Sequence, residues 1–312
     1  MLKRKDLLGL KDVTTEEMEE ILSTAREMRK ILDQNVKKTP HLQGKNIVNL
    51  FYENSTRTRT SFESAAKIMS ANAINITASA SSVTKGETLI DTGKTLDALL
   101  TDVVVIRHSM SGAPHLLAKN VRASVINAGD GMNEHPTQAL LDIFTMQEKF
   151  GDLKGLKAVI AGDVKHSRVA RSNIWGLRKL GADVTVCAPK TLLPMGIEDM
   201  DVSVSTDLDD CIEGANVVMG LRLQLERQQA GLFPGAAEYN CYYGINAARL
   251  NRADSDAILL HPGPINRGLE LSSETADGEQ SYILRQVTNG LAIRMALLFL
   301  LTRAKGKEQD RK

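Results

Sequence analysis

The first segment with a clear hydrophobic period lies near the N-terminus. Thr14 stands just before it and Glu17 three residues later, so the two form a capping box that predicts the start of a helix. The apolar positions that follow recur at three- and four-residue intervals, the spacing of one helical face. They are Met18, Ile21, Leu22, Ala25, Met28 and Leu32.

After this helix the pattern changes to short apolar runs separated by amphipathic segments. A first series of four runs predicts strands at residues 46–51, 73–77, 103–107 and 124–128. A second series of five begins near residue 152 and predicts strands at residues 157–163, 183–189, 202–206, 216–220 and 257–263. The intervening segments are long enough for crossover helices, so both series indicate parallel sheets with helices on their faces.

The pattern also predicts two longer helices, one between the two series of strands and one near the C-terminal end. The pattern predicts one helix over residues 138–151 that bridges the two units, and a terminal helix from about residue 280 to residue 303. The terminal helix is apolar on too wide a face to stand alone, so we expect it to pack back across a domain. The prediction is an α/β protein of two domains, each a parallel sheet flanked by helices: residues 1–148, residues 149–285, and a C-terminal helix over 286–312 that returns to the first domain.

Composition and charge narrow the class of protein. A chain of 312 residues is long for a single core and suits two domains. The net charge of +1 argues against a nucleic-acid binder, which usually has a strong basic excess. The most apolar stretch, residues 291–301, is interrupted by Arg294 and is shorter than the roughly 20 residues of a membrane span. With no leader-like segment at the N-terminus, the expected location is the cytoplasm.

The cysteine spacing excludes two further classes of site. The three cysteines lie 24 and 30 residues apart and form no CxxC pair, which argues against a zinc site and against a disulfide framework. They are Cys187, Cys211 and Cys241. We expect neither a metal nor a cofactor.

The loops that follow the predicted strands carry the candidate chemistry. Parallel α/β sheets bind ligands at the carboxyl ends of their strands. Nearly every loop there contains a cation, a histidine or a small hydroxyl: residues 53–59, 78–87, 108–112, 129–138, 162–168, 220–224 and 261–268. Seven such loops predict a binding site for anions.

The first loop leads into a predicted helix N-terminus, where backbone N–H groups and the helix dipole attract anions. It supplies five side chains that carry a hydroxyl or a guanidinium: Ser55, Thr56, Arg57, Thr58 and Arg59. A phosphate is the natural ligand for this group. A capped helix with surface arginines, neutralised by Glu53 and Glu63, is the alternative, and Arg59 is the arginine whose spacing favours a structural role.

Two other loops place further groups near helix or strand ends. His135 precedes Pro136, which suits a first helical position, and Gln138 lies on the same face of that helix. Arg107 ends a buried strand and needs an anionic partner there. The alternatives are a histidine that only caps the helix and an arginine that extends to the surface.

Several well-known motifs are missing. Residues 92–95 read "TGKT", but Thr88 occupies the position where a phosphate-binding P-loop needs glycine. No GxGxxG follows a predicted strand, and no GxSxG occurs. A site of cations and hydrogen-bond donors suits transfer between two anionic substrates. Positioning can lower such a barrier by roughly 7–11 kcal/mol, and one oxyanion donor by about 2.7–4 kcal/mol. These values suffice for acyl transfer with phosphate as the leaving group.

The order of these motifs resembles a known family. "FYENSTRTRTSFE", "KGET", "VIRH", "HPTQALLDIFT", "GDVKHSRVARS", "RLQLER" and "HPGPINRG" are similar, over residues 45–300, to aspartate carbamoyltransferase catalytic chains of the aspartate/ornithine carbamoyltransferase family. The resemblance implies transfer of the carbamoyl group of carbamoyl phosphate to L-aspartate. The products would be N-carbamoyl-L-aspartate, an intermediate of pyrimidine synthesis, and phosphate.

The resemblance also implies the role of each site residue. The phosphate ligands would be Ser55, Thr56, Arg57 and Thr58. The carbamoyl ligands would be Arg107, His135, Gln138 and Thr58, and all but Gln138 would face the carbonyl oxygen. The backbone of Gly263 and Pro264 would accept from the carbamoyl NH2, a contact that glycine preserves where some members have a bulky apolar residue. The aspartate ligands would be Lys85, Arg168, Arg222 and Gln224.

The resemblance further implies a cyclic homotrimer in which Ser81 and Lys85 reach the site of a neighbouring chain. It leaves open a regulatory chain or a dihydroorotase as a partner. Two other functions remain as alternatives. Ornithine carbamoyltransferases share the first loops, although their ammonium-bearing acceptor should need an acidic partner and an HCLP-type loop where this chain has HPGP. The second alternative is a phosphometabolite-binding protein without activity.

Overall fold

The computed structural model describes residues 2–77, 86–224 and 235–309, with side chains described as far as residue 304. The chain forms two compact units. The first unit contains the residues up to 141 together with those from 288 onward, and the second contains residues 142–287. The predicted boundaries, after residues 148 and 285, lie within a few residues of these divisions and stay predictions.

The first unit is built on a four-stranded parallel sheet with the order β2–β1–β3–β4. Its strands are β1 (Asn46–Phe51), β2 (Asn72–Thr77), β3 (Val103–His108) and β4 (Ser124–Asp130). Its first four helices are α1 (Thr15–Leu32), α2 (Thr56–Ile68), α3 (Leu89–Ala98) and α4 (Ala113–Asn120). The two edge strands differ. β4 is buried along its whole length, and Leu7 bonds to its outer side, donating to the Val125 carbonyl at 2.9 Å and accepting from the Asn127 N–H at 2.8 Å. β2 is the most exposed strand of this sheet.

The second unit has a five-stranded parallel sheet with the order β7–β6–β5–β8–β9. Its strands are β5 (Lys157–Ala161), β6 (Asp183–Cys187), β7 (Ser203–Ser205), β8 (Val217–Gly220) and β9 (Ile258–Leu260). Its helices are α6 (Arg168–Lys179), α7 (Leu208–Ile212), α8 (Ala236–Tyr243), α9 (Ala247–Leu250) and α10 (Ser273–Ala276). The predicted fold class, two domains with helix-flanked parallel sheets, is confirmed.

Both sheets have a point where the winding of the chain reverses. In the first sheet the chain moves outward from β1 to β2 and from β3 to β4, so the reversal lies between β1 and β3. In the second sheet it lies between β5 and β8 for the same reason. Ligands of open α/β sheets bind at such points, beyond the carboxyl ends of the strands.

Two helices run through both units: α5 (Pro136–Phe150) and α11 (Ile283–Gln309). The part of α11 from residue 288 belongs to the first unit, which agrees with the predicted return of the C-terminal helix. Residues 283–304 have the length and mean hydropathy (1.3) of a membrane span, but 67% of the most apolar window is buried within the protein, as in a core helix of a soluble protein.

Arg294, a charged residue within this apolar helix, has partners in the folded chain. Its side chain is buried, donates from a guanidinium nitrogen to Ser61 Oγ at 3.0 Å, and lies over the Phe62 ring. These contacts join α11 to α2 within the first unit. The same helix α2 begins at the candidate phosphate loop, so Arg294 stabilises the scaffold that carries that loop.

The capping box at the N-terminus forms as predicted. The Thr14 side chain accepts from the Glu17 N–H, and Glu17 in turn accepts from the Thr14 N–H at 3.1 Å. The six apolar residues of the predicted face of α1 are all buried.

Candidate active site

The loop between β1 and α2 lies beside the reversal point of the first sheet. Ser55 occupies the N-cap position of α2 without using its side chain to cap the helix. The first turn contains no acidic residue, so the dipole and the N–H groups of that turn retain their attraction for an anion. Arg57 is exposed on this turn, whereas Thr58 is buried. The loop therefore presents hydroxyls, backbone donors and a guanidinium in one place.

Arg107 lies near the end of β3, the strand adjacent to β1. Its Nε donates to Glu53 Oε2 at 3.2 Å, and the two side chains are only 17% and 20% exposed. Glu53 belongs to the loop after β1, so this ion pair joins the ends of both strands at the reversal point. A carboxylate held against Nε restricts the orientation of the guanidinium plane, which prepares Arg107 to bind a ligand oxygen.

His108 follows Arg107 and organises the next turn. Burial lowers the pKa of His108, although the carboxylates of Glu53 and Asp130 act in the opposite direction. Its Nδ1 accepts from the Met110 N–H at 2.9 Å, and its ring contacts that of Tyr52 with centroids 4.7 Å apart. His108 therefore supports the loop after β3 in its neutral form.

His135 and Gln138 lie at the N-terminus of α5, which begins at Pro136 as predicted. The His135 carbonyl accepts from the N–H groups of Gln138 and Ala139, at 3.0 and 3.2 Å. Its ring is buried, and Nδ1 lies 3.4 Å from Thr137 Oγ1. His135 thus combines a capping carbonyl with an imidazole held at the carboxyl edge of the first sheet.

Two buried carboxylates fix the loop that carries His135. Asp130 accepts from the N–H groups of Gly112 and Glu134, at 2.7 and 3.2 Å, and Glu134 accepts from the Leu10 N–H at 2.7 Å. Neither residue could be selected from the sequence, because their partners are backbone groups that only the folded chain brings near. The glycine–aspartate pair at the end of β4 is the one available signal.

The second unit has its own polar cluster between the loops after β5 and β8. Asp163 accepts from His166 Nδ1 at 2.8 Å and, through its other oxygen, from the Gln224 N–H at 3.2 Å. Gln224 Nε2 completes the group by donating to the His166 carbonyl at 3.0 Å. Arg168 is buried at the start of α6, and Arg222 is partly exposed two residues before Gln224.

A glycine makes the close approach of these two loops possible. Gly162 has a φ of +128°, and a Cβ atom there would lie 2.7 Å from the Leu221 carbonyl oxygen. Any other residue would therefore push the loop after β8 away from the loop after β5. This places Gln224 within hydrogen-bonding distance of Asp163.

Gly263 and Pro264 lie in the loop after β9. Gly263 has a φ of +63°, in the left-handed region that favours glycine, and Pro264 is exposed. Asn266 Nδ2 lies 3.4 Å from the Leu223 carbonyl, so this loop contacts the one that contains Arg222 and Gln224.

The predicted site residues are divided between the two units. The first unit holds Ser55, Thr56, Arg57, Thr58, Arg107, His135 and Gln138, and the second holds Arg168, Arg222, Gln224, Gly263 and Pro264. Ser81 and Lys85 lie outside the described residues. Within residues 2–77, 86–224 and 235–304, no three histidine, cysteine, aspartate or glutamate side chains cluster as a metal site would require.

Two family models match consecutive parts of the chain. Residues 5–148 match the carbamoyl-P binding domain of aspartate/ornithine carbamoyltransferase, and residues 154–301 match its Asp/Orn binding domain. The two matches together cover nearly all of the chain.

Individual relatives agree with these matches. The chain is 65% identical over 302 residues to the aspartate carbamoyltransferase catalytic subunit of Ruminiclostridium cellulolyticum, covering 97% of this chain and 96% of the relative. It resembles the crystal structure of Trypanosoma cruzi aspartate transcarbamoylase in complex with carbamoyl aspartate and phosphate, with a TM-score of 0.86, 30% identity and 96% of both chains covered. It also resembles the ornithine carbamoyltransferase of Pyrococcus furiosus, with a TM-score of 0.83, 31% identity, and 94% of this chain and 95% of that chain covered. The similar TM-scores mean that the fold alone does not distinguish an enzyme that acts on aspartate from one that acts on ornithine.

Proposed function

The chain belongs to the aspartate/ornithine carbamoyltransferase family, and we propose that it transfers the carbamoyl group of carbamoyl phosphate to L-aspartate. The observation that carries the choice of aspartate is the 65% identity to an aspartate carbamoyltransferase catalytic subunit over nearly the full length of both chains. The reaction gives N-carbamoyl-L-aspartate and phosphate, an early step of pyrimidine synthesis.

In this proposal the loop after β1 binds the phosphate of carbamoyl phosphate. Ser55, Thr56 and Thr58 supply hydroxyls, and the first turn of α2 supplies N–H donors without a competing acidic residue. Arg57 supplies a guanidinium, whose planar fork matches two phosphate oxygens. The leaving phosphate therefore develops its charge against groups that already favour an anion.

The carbonyl oxygen is assigned to Arg107, His135 and Thr58, with Gln138 as a further ligand of the carbamoyl group. Attack by the neutral amine of aspartate forms the C–N bond and moves negative charge onto that oxygen. The C–O bond to phosphate then breaks, and the departing phosphate takes the amine proton. Arg107 suits this role because Glu53 restricts the guanidinium before the substrate arrives.

The acceptor is assigned to the second unit. Arg168 and Arg222 are cations suited to the two carboxylates of aspartate, and Gln224 is held in place by Asp163 and His166. Ornithine brings an ammonium instead, for which two arginines are unfavourable neighbours. This difference in charge supports aspartate over ornithine.

His135→Ala is expected to lower kcat by roughly 10²-fold while weakening carbamoyl phosphate binding much less. The reason is that charge on the carbonyl oxygen develops mainly in the transition state. Steady-state kinetics combined with calorimetric titration of carbamoyl phosphate checks this. His135→Gln, which retains a side-chain N–H donor, should recover part of the lost kcat. A change confined to the Michaelis constants would assign His135 to ground-state binding and contradict the role.

We extend the proposal to assembly as a cyclic homotrimer, in which Ser81 and Lys85 complete the site of a neighbouring chain. A head-to-tail interface that closes after three copies gives each site one donor chain. The mass in solution tests this, with about three chain masses expected. A single chain mass at full activity would contradict it.

A cytoplasmic location belongs to the same proposal. Its support is chemical: Cys187, Cys211 and Cys241 are free thiols, as is usual in a reducing compartment.

Transfer of label from carbamoyl phosphate distinguishes the proposed function from its alternatives. With aspartate, the protein should form labelled N-carbamoyl-L-aspartate, and with ornithine it should form little product. Preferential labelling of ornithine would identify an ornithine carbamoyltransferase. Binding of carbamoyl phosphate without either product would identify a binding protein.

A further inference from the structure

The loop after β9 is held at two of its backbone N–H groups by buried side chains. The His261 N–H donates to Gln286 Oε1 at 2.9 Å, and the Gly263 N–H donates to His261 Nδ1 at 2.8 Å. His261 is 2% exposed, so the ring that fixes Gly263 is shielded from water. The path of the backbone from His261 to Gly263 is therefore fixed by side chains that the proposed chemistry does not use.

The hydrogen bond from Gly263 also determines the state of the His261 ring. Because Nδ1 accepts a hydrogen bond, the ring is neutral and carries its proton on Nε2. Nε2 lies 3.4 Å from Oε1 of the buried Glu270, and the same oxygen accepts from the Asn266 N–H at 2.6 Å. Glu270 thus contacts the beginning of the loop through His261 and the end of the loop through Asn266.

Gln286 is itself anchored by a buried carboxylate. Its Nε2 donates to Asp142 Oδ1 at 2.7 Å, while Asp142 Oδ2 accepts from Asn173 Nδ2 at 2.8 Å. These residues come from three helices, α11, α5 and α6. The Gln286 amide is therefore held at both ends, by Asp142 at its nitrogen and by the His261 N–H at its oxygen.

Gly263 and Pro264 can offer a ligand only backbone groups, so whatever fixes the backbone determines where their carbonyl oxygens lie. We propose that His261, supported by Glu270 and Gln286, is a positioning residue that fixes these carbonyls as acceptors for the NH2 of carbamoyl phosphate. This inference rests on the proposed function. It assigns to His261 the selectivity for a carbamoyl group over an acyl group that lacks the NH2 donor, because such a group leaves the two carbonyl acceptors without a donor when the bound ligand displaces their water.

Acetyl phosphate is the matched probe for this role. It carries the same phosphate and a carbonyl oxygen, but a methyl group replaces the NH2. The wild-type protein should bind carbamoyl phosphate more tightly than acetyl phosphate in calorimetric titrations. His261→Phe keeps the ring and removes the acceptor for the Gly263 N–H. It should weaken carbamoyl phosphate binding about 10-fold, the equivalent of one good hydrogen bond, and leave acetyl phosphate binding unchanged.

Two further variants serve as rescue and control. The side-chain oxygen of His261→Asn can accept from the N–H two residues later, as in an Asx-turn, and should restore most of the selectivity. Arg267→Ala alters an exposed arginine of the same loop, which pairs with Asp277, and should behave as the wild type. If His261→Phe does not fold, Glu270→Gln replaces it, with a smaller loss in the same direction expected.

The possible outcomes are distinct. Equal weakening of both ligands, or unchanged selectivity in the Phe variant, would show that His261 has no positioning role and would overturn the inference. A wild-type protein that does not prefer carbamoyl phosphate would also overturn the inference, whereas failure of the wild-type protein to form N-carbamoyl-L-aspartate would contradict the proposed function. Selective loss in the Phe variant with recovery in the Asn variant supports the inference.

Discussion

Arg57→Ala is expected to lower kcat/KM for carbamoyl phosphate by roughly 10³-fold, with loss in both binding and turnover. A guanidinium that contacts two phosphate oxygens positions the substrate, and it also stabilises the charge that develops as phosphate leaves. Arg57 lies exposed on the first turn of α2, so its removal should leave the free energy of unfolding nearly unchanged. Initial-rate kinetics with carbamoyl phosphate varied at saturating aspartate measures the effect.

Lys67→Ala is the matched control. Lys67 lies in the last turn of the same helix, is exposed, and pairs only with the surface carboxylate of Glu63 among its described contacts. Its substitution should change kcat/KM less than about twofold, because exposed ion pairs contribute little. Equal values of kcat/KM in the Arg57 and Lys67 variants would show that the loop after β1 does not bind the phosphate.

Arg222→Ala is expected to lower kcat/KM for aspartate by roughly 10³-fold while leaving carbamoyl phosphate binding intact. The aspartate side-chain carboxylate needs a forked partner, and Arg222 lies two residues from Gln224, which Asp163 and His166 hold in place. Arg222→Lys should be intermediate, since a lysine retains the charge but not the planar fork. Initial-rate kinetics with varied aspartate measures kcat/KM, and calorimetric titration measures the affinity for carbamoyl phosphate.

The amide analogue asparagine sharpens this assignment. It lacks the side-chain carboxylate, so the wild-type protein should strongly prefer aspartate as acceptor, and Arg222→Ala should lose most of that preference. If the variant instead lost carbamoyl phosphate binding and kept normal saturation by aspartate, the assignment of the two substrates would have to be reversed.

The elements of this fold were predictable because their hydrophobic patterns are local. Each of the nine predicted strands forms. The buried ones, such as β1, β4 and β8, were predictable because a parallel strand covered on both faces reads as a short continuous apolar run. The division between the units at residue 141 had no such signal. It falls inside α5, where the helical period continues unbroken from one unit into the other.

The candidate site was predictable only in its exposed cations and hydroxyls. Arg107 was found because it ends a buried strand, but its partner Glu53 can be identified only from the order of the strands, which places β3 beside β1. Asp130, Asp163 and Glu270 were missed because their principal partners are backbone N–H groups and side chains from distant parts of the chain. Such residues accept hydrogen bonds from backbone N–H groups that are distant in sequence, and the pattern of apolar and polar residues does not indicate those contacts.

In the proposed reaction the amine of aspartate attacks the carbonyl carbon, and phosphate leaves with the bridging oxygen. Carbamoyl phosphate labelled with ¹⁸O at the C–O–P bridge, mixed with ¹⁵N-aspartate and the protein, tests it directly, with a protein-free sample to subtract spontaneous decomposition. We expect ¹⁵N in N-carbamoyl-L-aspartate and ¹⁸O in phosphate, formed in equal amounts and only when aspartate is present. Retention of ¹⁸O in the carbamoyl product, or phosphate release that does not depend on aspartate, would rule out this mechanism.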